Sequence, residues 1–301
     1  MEYKAPLETY SGKVREVVIG KGERAMKIGG ENVLPFHFFE GTIENQPRIA
    51  LEVHDIRPDG WAESLYEAYG DVISDPVAWA KKCLNLGADL VCVRLTSTDP
   101  AGANAPADKA ADVVKQIVSA VKSPVIVCGS GDETKDIEVL TKVAEICDGE
   151  NLLLGPIVKE NYEPISKAAL DHGHCIIAQT PLDINLEKEL NIKLMKSFPP
   201  ERMLIDPLSS GLGYGMEYSF TIMERTKHIG VMFGDGTMQM PIIADLGGEC
   251  WKTKQAKENE KQGILWESIT AMSLVLAGAN LLVLRHPESL KLMKEVIEGK
   301  L

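Results

Sequence analysis

The chain has 301 residues, 45% of them hydrophobic, which is enough to bury a large core in one big domain or two modest ones. Its formal charge of −12 argues against nucleic acid or an anionic membrane as the main partner, since both select a basic face. The start "MEYKAPLETYSG" has no basic-then-apolar leader and nowhere do about 20 apolar residues run together, so a soluble, cytoplasmic protein is expected.

In chain order, "KVREVVIG" and "RAMKIGG", separated by "KGE", read as a β-hairpin within the first 35 residues. Eight apolar, strand-like runs follow. They are "RIALEVHD" from 48, "LVCVRLTS" from 90, "PVIVCGSG" from 124, "NLLLGPI" from 151, "CIIAQTP" from 175, "MLIDPLS" from 203, "MPIIADLG" from 240 and "LLVLRHP" from 281. Amphipathic stretches lie between them. In "DPVAWAKKCLNLGAD", Asp75 is placed to cap and Pro76 fits the first turn; in the next stretch Val113, Val114, Ile117, Val118 and Val121 share one face. Gly87, Gly173 and Gly278 read as helix stops, and the charge-dense 252–263 segment as the solvated start of a long seventh helix. This rhythm predicts a (β/α)8 TIM barrel over 48–299 with an N-terminal hairpin extension over 1–35, one domain spanning 1–301. A miscounted strand would convert the barrel into a doubly wound sheet.

In such a barrel the C-terminal strand ends and the loops after them face the ligand. Those positions hold Asp55 and Arg57; Thr96, Ser97 and Thr98; Ser130 and Asp132; Gln179, Thr180 and Asp183; Asp206, Ser209 and Ser210; Asp245; and Arg285 and His286. No lysine ends a strand, against Schiff-base chemistry, and no H-x-H or His–carboxylate spacing offers a metal site. Glu52 and His54 alternate on one strand face, as a self-satisfying interior pair or as a ligand pair. Asp55, Asp206 and Asp245 suit either acid–base work or loop ordering. Six cysteines lack C-x-x-C spacing, and three of them (Cys92, Cys128 and Cys175) sit in strand runs, so neither a disulfide nor an iron–sulfur cluster is assigned.

The stretch "DPLSSGLGYGMEYS" at 206–219 sets Gly211, Gly213 and Gly215 before a helix, the arrangement that cradles anions. It lacks the Lys-Ser/Thr ending of a P-loop and carries Tyr214 and Tyr218, so a planar ligand, a partner backbone or a plain tight turn are equally open.

"DPLSSGLGYGMEYSFTIMER", "MFGDGTMQMPIIADLGGECW", "ALEVHDIRPDGW" and "GADLVCVRLTSTDP" together resemble the small (delta) subunit of the corrinoid iron–sulfur protein of the acetyl-CoA decarbonylase/synthase (Wood–Ljungdahl) system, through essentially the whole chain. The resemblance implies a barrel related to methyltetrahydrofolate methyltransferases. It implies the small half of a heterodimeric, anaerobic methyl carrier that receives methyl groups through a methyltetrahydrofolate methyltransferase and delivers them to acetyl-CoA synthase/CO dehydrogenase. The large (gamma) subunit of that family brings the 4Fe–4S cluster and chiefly holds the cobamide. The D-x-H-x-x-G pattern of cobalt-ligating histidines is missing, with His172 and His174 at other offsets, so no metal ligand is expected here. The expected cofactor contacts are Asp55, Arg57, Thr96, Gln179, Asp206, Ser209, Ser210, Gly211, Gly213, Tyr214 and Asp245, with no catalytic residue and no turnover without the partner. The alternatives are a methyltetrahydrofolate/pterin-dependent TIM-barrel methyltransferase and a purely structural half of a heterodimer.

Overall fold

Eight parallel strands close into a barrel in a computed structural model that describes residues 6–37 and 39–299. The first five residues of the expected hairpin extension lie outside the described residues. The strands are β3 (Arg48–His54), β4 (Leu90–Arg94), β5 (Val125–Cys128), β6 (Leu153–Ile157), β7 (Cys175–Gln179), β8 (Met203–Asp206), β9 (Ile242–Asp245) and β10 (Ala279–Leu284), and β10 pairs back onto β3. Seven fall within the apolar runs read from the sequence, and β10 overlaps its run but begins two residues earlier, at Ala279. Strands buried on both faces have no polar side to alternate with, which is why they appear as continuous apolar runs.

Side-chain parity divides the core in two. Ala50, Leu90, Cys92, Ile126, Leu153 and Leu204 point into the barrel, while their neighbours Ile49, Leu51, Val91, Val93 and Val127 pack under the surrounding helices. The hairpin β1 (Glu16–Ile19) and β2 (Met26–Gly29) completes the inner core, placing Val17, Ile19 and Ile28 against the barrel interior. Its backbone bonds go to residues that precede strands: Arg15 N donates to Gln239 O at 2.6 Å and Gly20 N to Asn151 O at 2.7 Å. The hairpin is therefore a plug at the N-terminal end, opposite the face where ligands bind.

Eleven α-helices are described. They are α1 (Glu63–Tyr69), α2 (Pro76–Asn85), α3 (Ala107–Ala120), α4 (Glu133–Ile146), α5 (Tyr162–Asp171), α6 (Ile184–Leu194), α7 (Met216–Lys227), α8 (Gly247–Trp251), α9 (Lys254–Glu258), α10 (Glu260–Leu276) and α11 (Pro287–Ile297). Asp75 caps α2 as expected, accepting from Val77 N and Ala78 N at 3.0 Å each. Gly87, Gly173 and Gly278 follow helices with positive φ. The expected long seventh helix is broken. Asn259 adopts extended backbone between α9 and α10, and its side chain accepts from Gln262 N, so a residue inside the charge run starts a helix instead of continuing one. No helix among the described residues is long and apolar enough to cross a membrane.

Candidate functional site

At the C-terminal mouth, Arg94 follows Leu90 and Cys92 in inward parity, so its guanidinium enters the barrel and must meet an anion there. It meets two. Arg94 Nε donates to Glu52 Oε1 at 2.7 Å, and Nη2 donates to Asp245 Oδ2 across the mouth. Arg285, from the end of β10, donates to the same Glu52 through Nε, with Nη2 3.2 Å from Oε1, and its guanidinium stacks 4.7 Å above the Trp61 ring. Two carboxylates and two guanidiniums thus form a neutral, interlocked cluster. Burial alone would raise the Glu52 carboxyl, but Arg285 and Arg94 hold it well below the usual carboxylate range. Burial opposes the charge on Arg94 as well; Asp245 and Glu52 more than offset this.

The cavity on the barrel axis beside Asp245, bounded also by Cys92, Cys128, Pro156, Gln179 and Asp206, is about 10 Å³, room for about one water. Cys92 and Cys128 face each other there with sulfurs 3.7 Å apart. His54 Nε2 does lie 3.2 Å from Glu52 Oε1, the pairing read from their alternation, yet the two arginines carry most of the load on that carboxylate. Arg94 is the residue that sequence reading missed. The available signal was its parity with Leu90 and Cys92, which aims a charged side chain inward.

Asp206 ends β8 and is buried. Its Oδ2 accepts from Gln179 Nε2 at 2.7 Å and its Oδ1 from Leu208 N at 2.9 Å. Burial, reinforced by the nearby Asp245, pushes its carboxyl up to about 7, against the opposing pull of those two donors. Asp55 orders a loop: it accepts from Ser97 N at 3.0 Å and from the Ser97 hydroxyl, with Thr96 Oγ1 at 3.4 Å, pinning the β4–α3 turn to β3. Arg57 stands outside this group, exposed, with its guanidinium 4.6 Å over the Tyr66 ring. The structure therefore joins Asp55 with Thr96, Gln179 with Asp206, and Asp245 with Arg94 around one mouth, and leaves Arg57 on the rim.

Four N–H groups of the glycine loop are committed to acceptors within the protein, and they alternate along the chain with the glycines. Leu208 N bonds Asp206, Ser210 N bonds Ser219 Oγ at 3.0 Å, Leu212 N bonds Thr270 Oγ1 at 3.1 Å, and Tyr214 N bonds Gly211 O at 2.9 Å. Gly211 is buried against Cys250, and Trp266 Nε1 donates to Leu212 O, so the loop leans on α8 and α10. What it offers outward is Gly213, at φ +74° with nothing within 4 Å of a Cβ, and the exposed rings of Tyr214 (54%) and Tyr218 (63%). Beside the loop a cleft of about 360 Å³ runs between Lys159, Gln179, Thr180, Leu186, Lys193 and Leu208. The hydroxyls of Thr180 and Ser209, both buried, have no partner. No group of three or more His, Cys, Asp or Glu side chains among the described residues is placed to hold a metal ion.

Comparison with known proteins gives the geometry a family. The model of the CO dehydrogenase/acetyl-CoA synthase delta subunit matches residues 16–298. An acetyl-CoA decarbonylase/synthase complex subunit delta from Archaeoglobus fulgidus is 38% identical over 312 residues, covering 96% of this chain and 69% of the relative. The subunit delta of Methanopyrus kandleri is 37% identical over 93% of this chain and 71% of its own length. Among solved structures, Xanthomonas albilineans dihydropteroate synthase with 4-aminobenzoic acid superposes with a TM-score of 0.59 at 15% identity, covering 94% of this chain and 98% of that one. Yersinia pestis dihydropteroate synthase with a pterine-sulfa conjugate gives 0.59 at 16%, over 86% and 96%. At those identities the likeness shows the TIM-barrel fold alone. Family model and relatives agree over nearly the full chain: it belongs to the CO dehydrogenase/acetyl-CoA synthase delta subunit family.

Proposed function

We propose that the C-terminal face of this barrel is a cap for a cobamide held chiefly by a large (gamma) subunit, which also carries the 4Fe–4S cluster, in a heterodimeric methyl carrier of the acetyl-CoA pathway. The carrier takes methyl from methyltetrahydrofolate through a separate methyltransferase and delivers it to acetyl-CoA synthase. The observation that carries this reading is the closed barrel axis. A pterin-dependent methyltransferase needs a slot for its substrate; here the Glu52–Arg94–Asp245–Arg285 groups are paired with one another and the axial cavity beside Asp206 and Asp245 is about 10 Å³, so the room at this face is the side cleft of about 360 Å³ by Gln179 and Leu208. The relatives' names, which make them subunits of an acetyl-CoA decarbonylase/synthase complex, support a partner-dependent role.

The residues fit a large, flat group edged with amides. The half-buried amide of Gln179 supplies a polar contact; Leu208, Tyr214 and Tyr218 supply exposed apolar faces; and Gly213 allows close approach, while the buried Thr180 and Ser209 lie behind them. Asp55, Thr96, Ser210, Gly211, Asp206 and Asp245 act behind this surface by fixing the loops, and Arg57 lies at its edge. When bound, the cobamide supplies a nucleophilic cobalt centre for methyl transfer. This chain's part is to shield and orient while contributing no ligand, which suits a cofactor that must leave and return.

Gly213→Trp projects bulk into open space from a positive-φ position, and Gly213→Ala carries the same backbone strain, about 1–2 kcal/mol, without the bulk. Coexpressed anaerobically with the large subunit, the Trp variant is expected to lose corrinoid content or methylation rate severalfold while the Ala variant stays near wild type. Wild-type content and rate in both variants would rule the reading out.

A further inference from the structure

On the outer wall of the barrel, helices present charged and polar residues to water, as α3 does with Asp108, Lys109, Asp112, Lys115, Gln116 and Ser119. α10 departs from this. From residue 263 to residue 276 the exposed residues are Leu265, Ile269, Met272 and Leu276, at 50%, 37%, 38% and 38%, with no polar residue among them. Its other side, with Ala271 and Leu274, belongs to the core, and the one charged residue of the stretch, Glu267, is buried. A helix that is apolar all round belongs in an interior. Here one side is bare.

That side is shaped for another helix. The positions 265, 269, 272 and 276 step by four, three and four, the interval of a coiled-coil seam. At about 100° per residue the four side chains lie within about 60° of one another, along about 16 Å of helix. Ser273, beside the seam, already donates its hydroxyl to Ile269 O at 2.8 Å and needs no partner. The seam is also symmetric about its midpoint, between Thr270 and Ala271. An antiparallel second α10 therefore sets Leu265 against Leu276 and Ile269 against Met272, each contact made twice, with no charge brought into the seam. α7 and α11, which pack against α10, expose Glu217, Thr221 and Arg225, and Glu288 and Lys291. An apolar centre with a rim of mixed charge is the anatomy of an interface of about 800 Å² per partner.

We propose that two copies of this chain associate about a two-fold axis through the Leu265–Ile269–Met272–Leu276 seam of α10, the two helices antiparallel. α10 runs along the outer wall, so the pairing leaves both C-terminal mouths open and is separate from the cofactor face. Sedimentation equilibrium of the full chain is expected to show a dimer at about 50 μM. Ile269→Glu and Met272→Lys, each at an exposed position, are expected to keep the wild-type circular dichroism and melting temperature while raising the dimer dissociation constant at least about a hundredfold. Mixed in equal amounts, the two variants are expected to dimerise again, because the antiparallel register sets the carboxylate introduced at 269 against the ammonium introduced at 272. A wild-type chain that stays monomeric at about 100 μM, a dimer that either variant leaves intact, or variants that remain monomeric on mixing would overturn the proposal. So would loss of the large subunit from a coexpressed pair on Ile269→Glu, which would assign this face to that subunit.

Discussion

Glu52→Gln is expected to destabilise the protein by about 3–5 kcal/mol, the range for breaking a buried ion pair from one side. Glu52 is 1% exposed and is the only carboxylate bonded to Arg285 through its side chain among the described residues, so the amide leaves that guanidinium without an anion and gives Arg94 only Asp245. The pH dependence follows. Glu52 titrates well below its ordinary value of 4.5 in the fold, so its contribution is present above that value and is lost as pH falls through the lower one. Urea unfolding at neutral pH measures the effect. A loss under about 1 kcal/mol would mean that the cluster is a solvated surface network.

Asp206 gives an effect of opposite sign with pH. Its carboxyl, 2% exposed, titrates at about 7 in the fold against an ordinary 3.8. The folded chain therefore keeps a proton that the unfolded chain has released, and stability falls as pH rises through that window and levels off above about 7. From pH 5 to pH 8 the loss from this group is roughly 2–3 kcal/mol. Asp206→Asn removes the titration while the amide still bonds Gln179, whose own amide can turn, and Leu208 N. The stability of wild type relative to the variant should fall by that amount between pH 5 and pH 8, so that the variant is favoured at the higher pH. A difference independent of pH would show that Asp206 is ionised throughout.

The fold was legible because its signals are local. Buried parallel strands read as apolar runs, Asp75 and Pro76 mark a helix start within two residues, and Gly87, Gly173 and Gly278 mark stops. The polar ring at the strand tips was legible for the same reason, since a strand end is a position in the chain. What the ring does was not. Asp55 and Asp206 could be named, but whether each orders a loop or faces a ligand depends on Ser97, Gln179 and Leu208 N, which come from neighbouring strands and turns. The clamp across the mouth joins positions 52, 94, 245 and 285, and no local pattern pairs residues so far apart. The break at Asn259 escaped because a capping asparagine inside a charge run looks like any solvated helix residue. Buried Glu31, Lys227 and Asn280 hydrogen-bond one another from positions far apart in the chain, so only the closed barrel brings these three polar groups together.

The proposed role requires a barrel face that shelters a cofactor belonging to another polypeptide. The absorption spectrum after anaerobic purification, of this chain alone and of the chain coexpressed with the large subunit, tests that most directly. The chain alone should be colourless, and the pair should emerge brown to red with corrinoid and iron–sulfur bands. An isolated chain that retains corrinoid, assembles a cluster or transfers methyl groups unaided would contradict it.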